Sequence, residues 1–205
     1  MTAARNAYRI ETERLIIRCW ELRDISLLQE AIDTSRDHLR PWMPWADAEP
    51  EQPRIKIERL RRFKADFDRG ADFVYGIFSH DEKRVIGGTG LHTRQGPKTR
   101  EIGYWIRFDS INQGFATEST AALTRIAFEV NRVPRVEIRC NAENAASAAI
   151  PRKLSFILED ITAEDDRETL IWAMHLREYR ASRAANAKLR AFDVAGDQLD
   201  LRKVP

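Results

Sequence analysis

The segment from Glu101 to Cys140 restricts this chain's fold more than any other. It reads as a β-branched and aromatic run, EIGYWIRF (101–108), a polar junction, INQGFATE (111–118), a helical stretch, and a second strand, RVEIRC (135–140). Phe115, Ala122, Ile126 and Val130 recur at helical spacing through the middle, and Pro134 closes it. Two strands joined by a helix of that length are expected to lie side by side and parallel, through one right-handed crossover. The runs before it have a different character. DFVYGIFS (72–79) and RVIGGTGLH (84–92) are separated by the polar turn HDEK, and Gln95-Gly96-Pro97-Lys98 turns the chain into 101–108. Three successive antiparallel strands feeding one parallel pair predict an α+β (α/β) fold, a mixed and mostly antiparallel sheet flanked by helices.

The remaining elements fit that frame. RLIIRCW (14–20) predicts a strand, and Asp24 is expected to cap a helix carrying Ile25, Leu28, Ala31 and Ile32 on one face. Four prolines break HLRPWMPWADAEPEQP (38–53), after which Ile57, Leu60, Phe63 and Phe67 repeat helically until Gly70. SFILED (155–160) and TLIWAMHL (169–176) predict a closing hairpin around TAEDDRE, and the arginine- and alanine-rich 177–192 predicts a surface helix. The tail serves either a homodimer contact or plain solvation. With 205 residues, 43% hydrophobic and 32% charged, one globular domain is expected. A net charge of +2, from 34 basic and 32 acidic residues, argues against a nucleic-acid partner. No run is apolar for long enough to span a bilayer, and Cys19 and Cys140 offer neither a disulfide framework nor zinc spacing. A cytoplasmic protein without a metal site is the expectation.

The Gly114 junction lacks Gly-Lys-Ser/Thr and lacks G-x-G-x-x-G, which excludes the P-loop and the dinucleotide fingerprint. Exposed amides at a helix N-terminus still suit an anion, and a plain turn explains a lone glycine equally well. Three further motifs decide between these readings. EIGYW (101–105), QGFATES (113–119), NAAS (144–147) and KLSF (153–156) occur in the order E-I-G-Y-W, G-x-G-[YF]-A-T-E-A, N-x-x-S, K-L-G-F. The chain thereby resembles the GNAT superfamily of acyl-CoA N-acyltransferases, in particular its RimJ/RimL branch of ribosomal-protein N-terminal acetyltransferases. HLRPWMPW adds the branch's tryptophan-rich segment, and the resemblance covers about residues 9–180. It departs at Ile111, where the superfamily often has Arg or Gln, and at Ser155, where a glycine is expected.

The resemblance implies a GNAT domain over residues 1–180, with 181–205 as a helical or irregular extension, and acetyl-CoA as cosubstrate. It places the cofactor in a splay between strands 101–107 and 135–140. Amides of Gln113, Gly114, Phe115, Ala116 and Thr117 would hold the pyrophosphate, with Trp105, Ile106 and Asn144 along the pantetheine. Ser147 would face the thioester sulfur. An amine attacks only when neutral, so a proton acceptor is required. Glu101 is the first candidate, acting through water, against the alternative of a solvated edge charge. His92 is a second, against a substrate contact or a surface histidine. Many relatives carry a tyrosine acid where this chain has Pro151, which leaves Ser147 as the candidate proton source, against a simple helix-start hydroxyl. Trp42 and Trp45 either wall the acceptor groove or cover the core. A protein or peptide N-terminal α-amine is the expected acceptor. A small amine (antibiotic, polyamine or amino acid) and a non-catalytic acyl-CoA-binding module are the alternatives.

Overall fold

Residues 15–19, LIIRC, are buried at every position, as a strand covered on both faces must be. Leu15, Ile17 and Cys19 join one hydrophobic cluster and Ile16 the other, so the period-two alternation of a strand divides the core into two layers. The computed structural model describes residues 6–164 and 167–201. Among these, the strands are β1 (Arg9–Glu11), β2 (Leu15–Cys19), β3 (Phe73–Ser79), β4 (Val85–His92), β5 (Thr99–Ile106), β6 (Arg135–Asn141), β7 (Ile157–Glu164), β8 (Arg167–His175) and β9 (Arg190–Phe192). The helices are α1 (Ile25–Leu39), α2 (Pro53–Arg69), α3 (Phe115–Glu129), α4 (Ala145–Lys153) and α5 (Leu176–Ala181). The sheet runs β7-β8-β6-β5-β4-β3-β2-β1-β9. Every neighbouring pair is antiparallel except β5 with β6, the expected crossover through α3.

On one face, Leu28, Ala31 and Ile32 of α1 and Leu60 of α2 pack on Ile16, Phe78 and Val85. On the other, Leu123, Ile126 and Ala127 of α3 pack on Ile17, Ile77, Ile102 and Val136. Gly70 ends α2 with φ +67°, a left-handed conformation that glycine adopts without a Cβ penalty. Between the first two helices, the buried Lys56 ammonium pairs with the buried Glu49 carboxylate and ties the tryptophan-rich segment to α2.

Three sequence expectations are corrected. Asp24 precedes α1 without capping it, because its carboxylate accepts the Glu21 N–H at 2.8 Å and two N–H groups of the buried Arg18. The helix expected over 177–192 stops at Ala181. Residues 190–192 pair instead with β1, where an open sheet edge offers ladder hydrogen bonds that outweigh helix propensity. The closing hairpin is longer than the sequence suggests, and Asp165 and Asp166 of its expected turn lie outside the described residues.

Candidate active site

The parallel pair holds together for three residues only. Thr99, Arg100 and Glu101 face Arg135, Val136 and Glu137, and pairing then ceases. Beyond that point β5 stays paired to β4 through Ile106, and β6 to β8 through Asn141, so the two halves of the sheet diverge. Residues 102–106 therefore turn one edge, with its backbone polar groups, toward a gap instead of a neighbouring strand. An extended ligand can fill such a gap in the manner of a strand. A cleft of about 850 Å³ runs through it, bordered by Gly103, Tyr104 and Trp105 on one side and Cys140 and Asn141 on the other.

The Gly114 junction stands beyond the C-terminal end of β5. Gly114 is the N-cap of α3 with φ +82°, and no side chain caps the helix. Its carbonyl accepts the Glu118 N–H at 3.0 Å, which leaves the amides of Phe115, Ala116 and Thr117 without intrahelical partners at the positive end of the helix dipole. A Cβ on Gly114 would meet only Arg14 Nη2, at 3.5 Å, so the space above the loop is open. Arg14, in the β1–β2 turn, frames the loop. It donates to the Gln113 carbonyl at 2.9 Å, pairs with Glu118, and stacks its guanidinium 4.6 Å above the Phe115 ring. Sequence reasoning missed this cation, since 99 residues separate it from Gln113. Ile111, the departure from the family pattern, ends the single turn before the loop.

On the cleft wall, register puts His92 opposite Glu101. The His92 ring lies over Gly90 and Gly103: a Cβ on Gly90 would stand 2.6 Å from Nε2, and one on Gly103 would stand at 3.4 Å. Its Nδ1 is 2.9 Å from Asp72 Oδ2, and Asp72 Oδ1 accepts the Thr93 N–H at 3.2 Å. Burial would raise the Asp72 carboxyl, but His92 and the backbone N–H groups outweigh it and hold it below its ordinary range. An ionised Asp72 fixes the Nδ1–H tautomer. Nε2 has no hydrogen-bond partner among the described residues, on a ring that lines the cleft. Glu101 is committed differently. Both of its oxygens are engaged by Arg94, and Gln95 donates to Oε2 at 3.0 Å. Burial would raise its carboxyl, and these two partners hold it below the usual carboxylate range instead.

Ser147 opens α4, and its N–H donates to Asn144 Oδ1 at 3.0 Å, so Asn144 is the helix cap as well as a cleft residue. The Tyr104 hydroxyl lies 3.0 Å from the Ser147 carbonyl and 3.2 Å from its Oγ. Burial pushes the Tyr104 phenol well above its ordinary value despite the Ser147 hydrogen bond, so it stays protonated. A tyrosine therefore does reach this site, from β5 instead of the Pro151 position. Cys140 is free and buried beside it, its thiol pushed up by that burial. Trp42 and Trp45 both line the cleft, and the Trp45 ring meets Trp105 edge-on at 5.9 Å. The site thus gathers His92, Glu101, Asn144, Ser147, Trp42, Trp45 and Trp105 along one cleft, with the Gly114 loop beyond the open end of the splay. Among the described residues, no group of three or more histidine, cysteine or acidic side chains clusters as a metal site, and no helix is long and apolar enough to cross a membrane.

Known proteins share this fold. The acetyltransferase (GNAT) domain family matches residues 14–157. The ribosomal-protein uS5 alanine N-acetyltransferase of Escherichia coli is 26% identical over 150 residues, 72% of this chain and 77% of that protein. Among solved structures, the ribosomal alpha-N-protein acetyltransferase RimL in complex with coenzyme A superposes with a TM-score of 0.71 at 20% identity, covering 80% of this chain and 95% of that one. The microcin self-immunity acetyltransferase MccE, in complex with acetyl-CoA and AMP, superposes with a TM-score of 0.73 at 18% identity, covering 80% and 93%. The match over most of the chain, on a sheet that opens at the parallel pair, establishes that this protein belongs to the GNAT family of N-acetyltransferases.

Proposed function

We propose that this chain transfers the acetyl group of acetyl-CoA to a protein or peptide N-terminal α-amine. The observation that carries the reading is the coincidence of two vacancies: an unpaired strand edge at 102–106 and uncapped helix amides at 115–117. A pantetheine arm suits the first, through the backbone of Trp105 and Ile106, and a pyrophosphate suits the second, through the Gln113–Thr117 amides. The E. coli relative's name supports a protein acceptor. Residues 1–180 form the catalytic domain in this reading, with 181–205 as its extension, and a reducing cytosol suits two free buried cysteines.

The reaction forms a C–N bond and breaks a C–S bond, so a proton must leave the amine and another must reach the departing thiolate. His92 Nε2 takes the first, oriented by Asp72. Glu101, bound by Arg94 and Gln95, is a weak proton acceptor and acts instead as a fixed negative charge that favours the imidazolium as it forms. Ser147 Oγ supplies the second proton and Tyr104 backs it. An amide at Trp105 or Ile106 stabilises the oxyanion. Thiol release from acetyl-CoA tests the reading, with a panel of peptide N-termini set against polyamines, aminoglycosides and amino acids. Turnover confined to the small amines would reassign the acceptor. Tight acetyl-CoA binding without release for any amine would leave a binding module.

A further inference from the structure

Five arginines line the cleft (Arg59, Arg62, Arg94, Arg139 and Arg167) against two carboxylates, Asp72 and Glu101. Both carboxylates are already matched, Asp72 by His92 and Glu101 by Arg94. Arg59 pairs with Glu51 and Arg139 with Glu137. Two cations remain among the described residues, both exposed. Among the described residues, Arg62 of α2 has no hydrogen-bond or ion-pair partner, and Arg167 of β8 donates only to the Pro41 carbonyl, at 3.4 Å. Glu101 is buried and Asp72 half-buried beside His92, where the amine reacts, whereas the two unmatched cations are exposed. A concave wall concentrates that field.

We infer that the acceptor is an amine followed by an anionic group: a peptide whose N-terminal α-amine precedes Asp or Glu residues, with Arg62 and Arg167 holding the acidic part. The inference deepens the acetyl-transfer reading and rests on it for the place of the amine. Polycations such as polyamines are repelled by the same field. A carboxylate and a phosphate share the chemistry that these guanidiniums recognise, so the test separates the two sources.

Peptides with a common first residue and acidic, neutral or basic residues at positions two to four are compared by thiol release. Their binding to the coenzyme A-saturated protein is followed in parallel by tryptophan fluorescence. Phosphoethanolamine and ethanolamine form a second pair. Acidic peptides should show kcat/KM about 10-fold above neutral ones and further above basic ones, with the advantage shrinking in 0.5 M salt as screening requires. The double variant R62E/R167E should bring the acidic-to-neutral ratio to one or below. A larger advantage for phosphoethanolamine over ethanolamine than for acidic over neutral peptides would make phosphate the source of the anion. Thiol release with no acidic preference overturns the inference while leaving acetyl transfer intact. Acidic preference in binding without thiol release would sink acetyl transfer, and the acceptor with it, and would keep only the acidic-peptide contact of Arg62 and Arg167. A ratio unchanged in the double variant overturns the assignment to these two arginines.

Discussion

Replacing Gly114 separates the cost of its backbone from the use of the space above it. At φ +82° any L-residue is strained by about 1–2 kcal/mol, and that strain is the same for alanine and for tryptophan. A Cβ has room there, since its nearest neighbour would be Arg14 Nη2 at 3.5 Å. Gly114→Ala should therefore lower the melting temperature by about 2–8 °C and change acetyl-CoA affinity little. Gly114→Trp should melt in the same range but fill the space in front of the 115–117 amides. A hydrogen bond from an amide to a charged phosphate contributes about 1.5–3 kcal/mol, so losing two of them costs about 3–6 kcal/mol. The acetyl-CoA Kd should rise by roughly 10²- to 10⁴-fold. Titration calorimetry on both variants, with thermal melts as the control for folding, reads the difference directly. A tryptophan variant that binds acetyl-CoA within about three-fold of the alanine variant would refute the phosphate role of this loop.

Other expectations follow from neighbouring geometry. Asp72→Asn should lower kcat by about 10²-fold with acetyl-CoA affinity retained, because the imidazole loses the charge that fixes its tautomer; a kcat within two-fold of the parent would exclude that role. Glu101 has a folded value held below its unfolded one, near 4.5, so the stability it contributes is complete above that value and lost as pH falls through the lowered one. Urea unfolding should show wild type more stable than Glu101→Gln at neutral pH, with the gap closing below about pH 4; parallel curves would contradict the shift. Ser155 occupies φ +68° where the family pattern has glycine, so Ser155→Gly should raise the melting temperature by about 2–4 °C, as relief of about 1 kcal/mol of left-handed strain in a chain of this size; no change would mean that the turn is unstrained.

What could be read from the sequence was local. Gly114, EIGYW and NAAS each carry their signal within a few residues, and the crossover through α3 followed from hydrophobic periods and length. What escaped depended on strands coming together. Asp72 precedes β3 and reaches His92 because Phe73 pairs with Leu91 across the sheet. Arg14 reaches the α3 terminus from a hairpin turn at the other end of the chain. Tyr104 looked like one more aromatic of a strand, and only the divergence of β5 from β6 shows that it meets Ser147. The tail misled for the opposite reason: alanine and arginine favour helix locally, yet Ala191 is fully buried against an edge that needed a partner.

The opening between β5 and β6 also bears on how the molecule moves. Three residue pairs stitch β6, β8 and β7 to the other six strands, like a zip fastened only at its foot. On the proposed reading, an acyl donor lying along that open seam would supply the missing stitches, so filling the pocket and making the sheet continuous would be one event.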